Sequence, residues 1–197
     1  MKVDTFNSSR TFYSRTLSNP YMFFKRILIV ILFSGLLILS VRSQDIDTTI
    51  LKIQATEMAE SLMKKDYATL AKYTHPKIVA LMGGEESMIT VLSDAMDKMK
   101  KEGFIFLSCS VGLTPLKAQA DTEIHAIVAQ TIVMTVPGGT VTSNSFLLAI
   151  TADNGNRWYF VDTARLTDID KIKAMFPNYN PDLKIPKKEP PIFNKNQ

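Results

Sequence analysis

Two periodicities meet at Gly103, and that boundary constrains the fold more than any other feature of the chain. Before it, apolar residues recur every three or four positions; after it they alternate, and the residue types shift towards β-branched and aromatic. The first pattern describes helices with one buried stripe, the second strands with a buried face. Helices gathered first and strands after them predict an α+β domain rather than one that interleaves the two.

The helical half divides at its polar and glycine positions. From Asp47 to about Lys65, Ile50, Leu51, Ile53, Met58, Ala59, Leu62 and Met63 form one stripe behind a Thr48-Thr49 start that can cap. Asp66 opens a second helical turn or two through Tyr67, Leu70, Ala71 and Tyr73. Pro76 closes it, because the residue before a proline is pushed out of the α region. A short apolar segment, Ile78 to Met82, runs into Gly83-Gly84. Glu85 to Lys101 is then a third helix with Met88, Ile89, Val91, Leu92, Ala95, Met96 and Met99 inward and three lysines favourably placed at its C-terminal end.

In the second half, Ile105, Leu107, Cys109 and Val111 alternate with Ser108 and Ser110 as a first strand. Glu123 to Val136 is a long second strand, apolar at its even positions except Gln130. Pro137-Gly138-Gly139 turns the chain, and Thr140 to Ala152 returns with Phe146, Leu148 and Ile150 at even positions. A three-residue loop pairs even with even and puts both apolar sets on one face, so the pattern predicts that register. Asn154-Gly155 is a hairpin signal ahead of a last strand, Trp158 to Asp162. Leu166 to Phe176 reads as a terminal helix, and 177–197 as an extended, mobile tail rich in proline and lysine.

Ahead of this domain stands an apolar run, Ile27 to Val41, entered through Lys25-Arg26 and left through Arg42-Ser43-Gln44. At roughly 15 residues it is shorter than the ~20 that a membrane-crossing helix needs, and it has the basic, apolar, then small order of an export signal. Cleavage near Ser43-Gln44 would release the remainder to the periplasm or the extracellular space. The long polar lead, Met1 to Tyr21, instead favours a retained anchor over 25–42, unless translation starts at Met22. The expected organisation is a leader over 1–44, a domain over 45–176 and the tail. The single cysteine, Cys109, lies far from the run, so no acylated cysteine follows it and no internal disulfide forms.

The leader also carries the charge excess. Residues 1–43 hold six of the 23 Lys and Arg and one of the 19 acids, leaving 17 basic and 18 acidic residues beyond it. A basic pI of about 9.1 would suggest nucleic acid, but the domain itself is nearly neutral and nucleic-acid binding loses its support.

Three helices followed by a meander of long antiparallel strands, with Tyr73-x-His75-Pro76, Gly83-Gly84 and Trp158-x-Phe160-x-Asp162 as local support, resemble the nuclear transport factor 2-like, or cone-shaped α+β, superfamily over about Asp47 to Asp162. The resemblance implies a strongly bent sheet of about four strands wrapped around N-terminal helices, with a short C-terminal helix and a pocket at the open end. It resembles in particular small exported bacterial members of no assigned activity. The superfamily hosts isomerases, dehydratases, transport adaptors and plain binding modules, so function has to come from the site.

On the chosen register Gln130 and Asn144 are diagonal neighbours on the apolar inner face. Two amides there either satisfy each other, a water or a helix end, or hydrogen-bond a small apolar ligand between Phe146 and Tyr159. An isomerase of this superfamily needs a pocket carboxylate with a proton donor; Asp162, on the face with Trp158 and Phe160, is the one weak candidate. His75 reads as a helix-end cap, His125 as an outward residue at solvent or a subunit interface, and Cys109 as a small buried hydrophobe. Two distant histidines and one cysteine give no metal-ligand spacing, and no cofactor is implied. Ile127, Leu147, Trp158 and Phe160 would share an outer face too apolar for a lone sheet, which predicts a homodimer through it.

Overall fold

The structure, a computed structural model, describes residues 47–112, 114–166 and 168–196. The apolar run 27–41 and its flanks lie outside the described residues. Among the described residues no helix is long and apolar enough to cross a membrane.

The helical half contains α1 (Thr49–Lys64), α2 (Tyr67–Tyr73), α3 (Pro76–Leu81) and α4 (Glu85–Lys101). Each boundary has a local cause. Asp47 Oδ1 accepts from Thr49 N at 2.8 Å at the start of α1, so the cap comes from the aspartate rather than from Thr48. Lys65 takes a left-handed conformation with φ 58° and stops α1. Asp66 Oδ1 then accepts from Thr69 N at 3.0 Å and starts α2. The segment expected to be merely apolar, Ile78 to Met82, is most of α3, begun at Pro76 because a proline at the first helical position sacrifices no hydrogen bond. Gly83 and Gly84, at φ +89° and +98°, separate α3 from α4.

The sheet is antiparallel, with β1 (Ile105–Val111), β2 (Leu116–Ala120), β3 (Glu123–Val136), β4 (Gly139–Thr151), β5 (Tyr159–Asp162) and β6 (Ile192–Lys195). The long β3–β4 hairpin is its centre. β1 and β2 share the free edge of β3, and β5 and β6 share the free edge of β4, so the six strands fill four columns. Between β5 and β6 come a 3₁₀ turn (Thr163–Arg165) and α5 (Ile169–Met175).

The register of the central hairpin differs from the expected one. Val136 pairs with Gly139, so the loop has two residues, Pro137 and Gly138. Proline fixes φ near about −65° and Gly138 supplies +88°, the combination that a type II turn uses. Even positions of β3 therefore face odd positions of β4: Gln130 pairs with Ser145 and Val128 with Leu147. The two apolar sets lie on opposite faces of the sheet, and both are buried.

One face packs under the helices, where Leu51, Ala55 and Met58 of α1 meet Ala126, Val128, Leu147 and a fully buried Trp158. The other packs under the C-terminal segment, where Ile127, Leu148 and Ile150 meet Ile172, Phe176, Tyr179 and Leu183. The tail expected to be mobile thus supplies core residues: Tyr179 is 3% exposed, Leu183 is 4% exposed, and β6 pairs with the start of β4. The expected dimer face does not exist as one surface. Ile127 belongs to the tail side and Leu147, Trp158 and Phe160 to the helix side, and all four are buried within the chain.

Two smaller departures have local reasons. A bulge between Phe106 and Ser108 shifts the register of β1 and leaves Leu107 half exposed, while Cys109 and Val111 keep their places opposite Ile132 and Gln130. The Asn154-Gly155 signal is not a two-residue hairpin. It lies in a wider connection, 152–158, in which Thr151 Oγ1 accepts from Gly155 N and Asp153 Oδ1 accepts from Arg157 N. That connection is tied to α1 by Trp158 N, which donates to Gln54 Oε1 at 2.8 Å.

Candidate functional site

On the helix side the packing is incomplete. α1 and α2 lie against the sheet, but α4 sits further out: of its inward stripe only Met88 is fully buried, while Val91 and Ala95 are exposed. The space left beneath it is a cavity of ≈ 250 Å³. Met58 and Leu62 of α1, Leu70 of α2 and Met88 and Leu92 of α4 form its walls; Gln130 and Ile132 of β3 and Leu147 of β4 form its floor; Asp162 stands at the end of β5.

Gln130 is the buried amide of this cavity, 6% exposed. Its Oε1 accepts from Ser145 Oγ at 3.2 Å, and its Nε2 has only a weak sulfur acceptor, Cys109 Sγ at 3.5 Å. The amide therefore keeps hydrogen-bonding capacity at the floor of a mainly apolar space. Burial pushes the Cys109 thiol up, against a smaller opposite pull from Gln130, which keeps it protonated near neutrality and removes it as a nucleophile.

Asp162 lies on the same side as Phe160, opposite Leu147, as its parity implied. Its carboxylate is exposed and engaged in capping: Oδ1 accepts from Ala164 N at 2.7 Å and starts the 3₁₀ turn. The one hydroxyl among the described lining residues, Thr74, donates to Leu70 O at 2.9 Å. Acid–base chemistry needs a base and a donor converging on one reacting atom, and these two groups are turned to the backbone instead.

The other three residues of the expected ligand site lie elsewhere. Asn144 sits across from Thr131 and accepts from its Oγ1 at 2.9 Å, on the tail side of the sheet. Phe146 lines a cavity on that side, and Tyr159 stacks edge-on to His75, with ring centroids 6.1 Å apart. The pairing of Gln130 with Asn144 fails because a one-residue change of register moves a whole side-chain set to the opposite face. Asp162, taken as the weaker candidate, is the residue that shares the cavity with Gln130.

The tail-side cavity is larger, ≈ 450 Å³, and is bounded by Phe146, the 3₁₀ turn, α5 and the segment from Tyr179 to Lys188. Its polar neighbours are occupied: Thr163 Oγ1 donates to Phe146 O at 2.7 Å, and the Tyr179 hydroxyl donates to Leu183 O. The signal for this cavity was the second apolar set on β4, together with Tyr179, Leu183 and Ile185 spaced through the prolines of the tail.

Beside it lie both histidines. His125, expected to face outward, is fully buried: its ring stacks on Tyr179 at 5.8 Å and its Nε2 sits 3.0 Å from Glu123 Oε2. Burial holds its pKa below 6.5 although Glu123 pulls the other way, and Nδ1 has no hydrogen-bond partner. His75 caps α3, its Nδ1 accepting from Lys77 N at 3.2 Å, and rests edge-on against Phe176. Its pKa is also lowered by burial. No group of three His, Cys, Asp or Glu that could hold a metal ion occurs among the described residues.

A scan against protein-family models and searches of curated proteins and of solved structures find no match to this chain.

Proposed function

We propose that the chain is an exported, non-catalytic binding domain of nuclear transport factor 2-like architecture that takes a small, uncharged, largely apolar molecule into the helix-side cavity. The observation that carries this reading is the cavity itself, apolar in its walls with one buried, incompletely paired amide at its floor. Pockets of that composition use a few polar groups to orient a ligand held mainly by apolar contact. A dry cavity of about 150 Å³ accepts benzene, so ≈ 250 Å³ suits a molecule of one or two rings. Export is supported by the basic-then-apolar leader and the nearly neutral domain behind it.

Calorimetric titration of the full chain with naphthalene and indole tests the proposal. Saturable binding is expected, weakened about tenfold or more by Leu92→Trp, which fills the space; a wild-type chain that takes up neither probe would refute it.

The placement of Asp162 on the same cavity favours one second reading, an isomerase or dehydratase in which it acts as base. Turnover of a cyclic ketone that disappears in Asp162→Asn would establish that reading. Unchanged binding of the apolar probes in the same variant, with no turnover by either protein, supports the binding domain.

A further inference from the structure

The tail-side cavity differs from the helix-side one in its rim. Its floor is apolar, built from Phe146, Leu166, Ile172 and Leu183, and Ile169 at its margin is 42% exposed although it is an isoleucine. At the mouth stand Lys184, Lys187 and Lys188, all exposed. No carboxylate lines the cavity among the described residues. None of the three ammonium groups has a hydrogen-bond or ion-pair partner among the described residues, whereas Lys64 and Lys65 elsewhere on the surface pair with Glu60 and Asp97.

The hydroxyls of the lining already have acceptors: Thr163 and Tyr179 donate to backbone carbonyls and Ser145 donates to Gln130 Oε1, so none of these protons is left for a ligand. A molecule that fits has to be apolar over its length and negatively charged at one end. The volume, ≈ 450 Å³, lies within the about 300 to 1,000 Å³ of small-molecule sites.

We propose that this cavity is a second ligand site, distinct from the helix-side one, for a free single-chain carboxylate of the fatty-acid type, its chain against Phe146 and Ile172 and its carboxylate among Lys184, Lys187 and Lys188. The tail, fixed to the sheet by Tyr179, Leu183 and β6, is then the wall that supplies specificity for charge. Lysines on long stems suit this role, because they cover apolar ligand surface while their heads stay at the water boundary.

The test is titration of the full chain with dodecanoate and with dodecanol, each below its self-association concentration. Saturable binding of dodecanoate is expected, with dodecanol weaker by about tenfold and the difference shrinking as salt is raised. K184Q/K187Q/K188Q should bring dodecanoate down to the level of dodecanol, and Ile169→Glu, a change at an exposed position, should weaken it by placing a carboxylate in the mouth. Leu92→Trp, on the other side of the sheet, should leave it unchanged. Equal affinity for acid and alcohol, or no effect of the lysine substitutions, would overturn the proposal. So would binding to phosphatidylglycerol vesicles that free dodecanoate fails to compete away.

Discussion

The two faces of the central hairpin solve the same problem in different ways. On the helix side the cover is regular secondary structure, and Trp158 and Leu51 beneath it are among the most deeply buried side chains. On the tail side the cover is a 3₁₀ turn, a seven-residue helix and a strap whose backbone makes only isolated bonds, such as Tyr179 N to Phe176 O and Leu183 N to Asn180 O. A helix satisfies its own backbone and can be held off the sheet, which is how α4 leaves a small cavity beneath it. A strap cannot; it touches down at Phe176, Tyr179 and Leu183 and leaves a wider gap between contacts. The difference teaches that local stability and cavity size follow the kind of cover together with the strand face beneath it, which on β3 is apolar except for Gln130 on the helix side and carries His125, Thr131 and Thr135 on the tail side.

The largest effect should come from Trp158→Ala. The indole is 0% exposed and its Nε1 donates to Gly155 O at 3.0 Å, so truncation opens a void and frees a buried carbonyl. A loss of about 3–5 kcal/mol in urea unfolding is expected. Leu183→Ala on the strap should cost less, about 2 kcal/mol, because a segment anchored at points can settle into the gap. Similar losses for both would break the contrast between the faces.

Acid should act on the tail side first. The pKa values of His125 and His75 are held below the ordinary 6.5 by burial, so the folded chain binds fewer protons than the unfolded one as pH falls past that value. Their contribution to stability is present above about 6.5 and is lost below it as the unfolded state takes up protons first. Glu123 opposes the shift at both rings, and Lys77 reinforces it at His75. Hydrogen exchange at pH 5 and pH 8 should show α5 and the strap opening at the lower pH before α1 does, and His125→Phe should reduce that difference. The smallest effect belongs to Gln130→Leu, which removes the long bond from Ser145 and the weak one to Cys109 and is expected to change stability by about 1 kcal/mol while altering probe binding in the cavity.

Much of the fold was legible where the sequence places its stops. Glu85–Lys101 and Glu123–Val136 have the boundaries that the glycines and the Pro137-Gly138 turn dictate. What was not legible follows from one assumption, that an antiparallel sheet of this size keeps one wet face. With that assumption the apolar parity of β4 selects a three-residue loop; without it, the same parity says that a second layer covers the sheet. The tail, His125 and the split of the dimer residues between two cores all follow from that layer. Of the candidate site, Gln130 and Asp162 could be placed from parity along their own strands. Asn144, Phe146 and Tyr159 could not, because their relation to Gln130 depends on the turn.

The most direct test of the central claim, that the helix-side cavity is a binding site, is an NMR titration of the full chain with naphthalene, following methyl and side-chain amide signals. Saturable shifts at Met88, Leu92, Leu147 and the Gln130 amide, with the probe recovered unchanged, are the expected result. Shifts confined to Phe146, Leu166 and Ile172 on the tail side, or none that saturate, would contradict it.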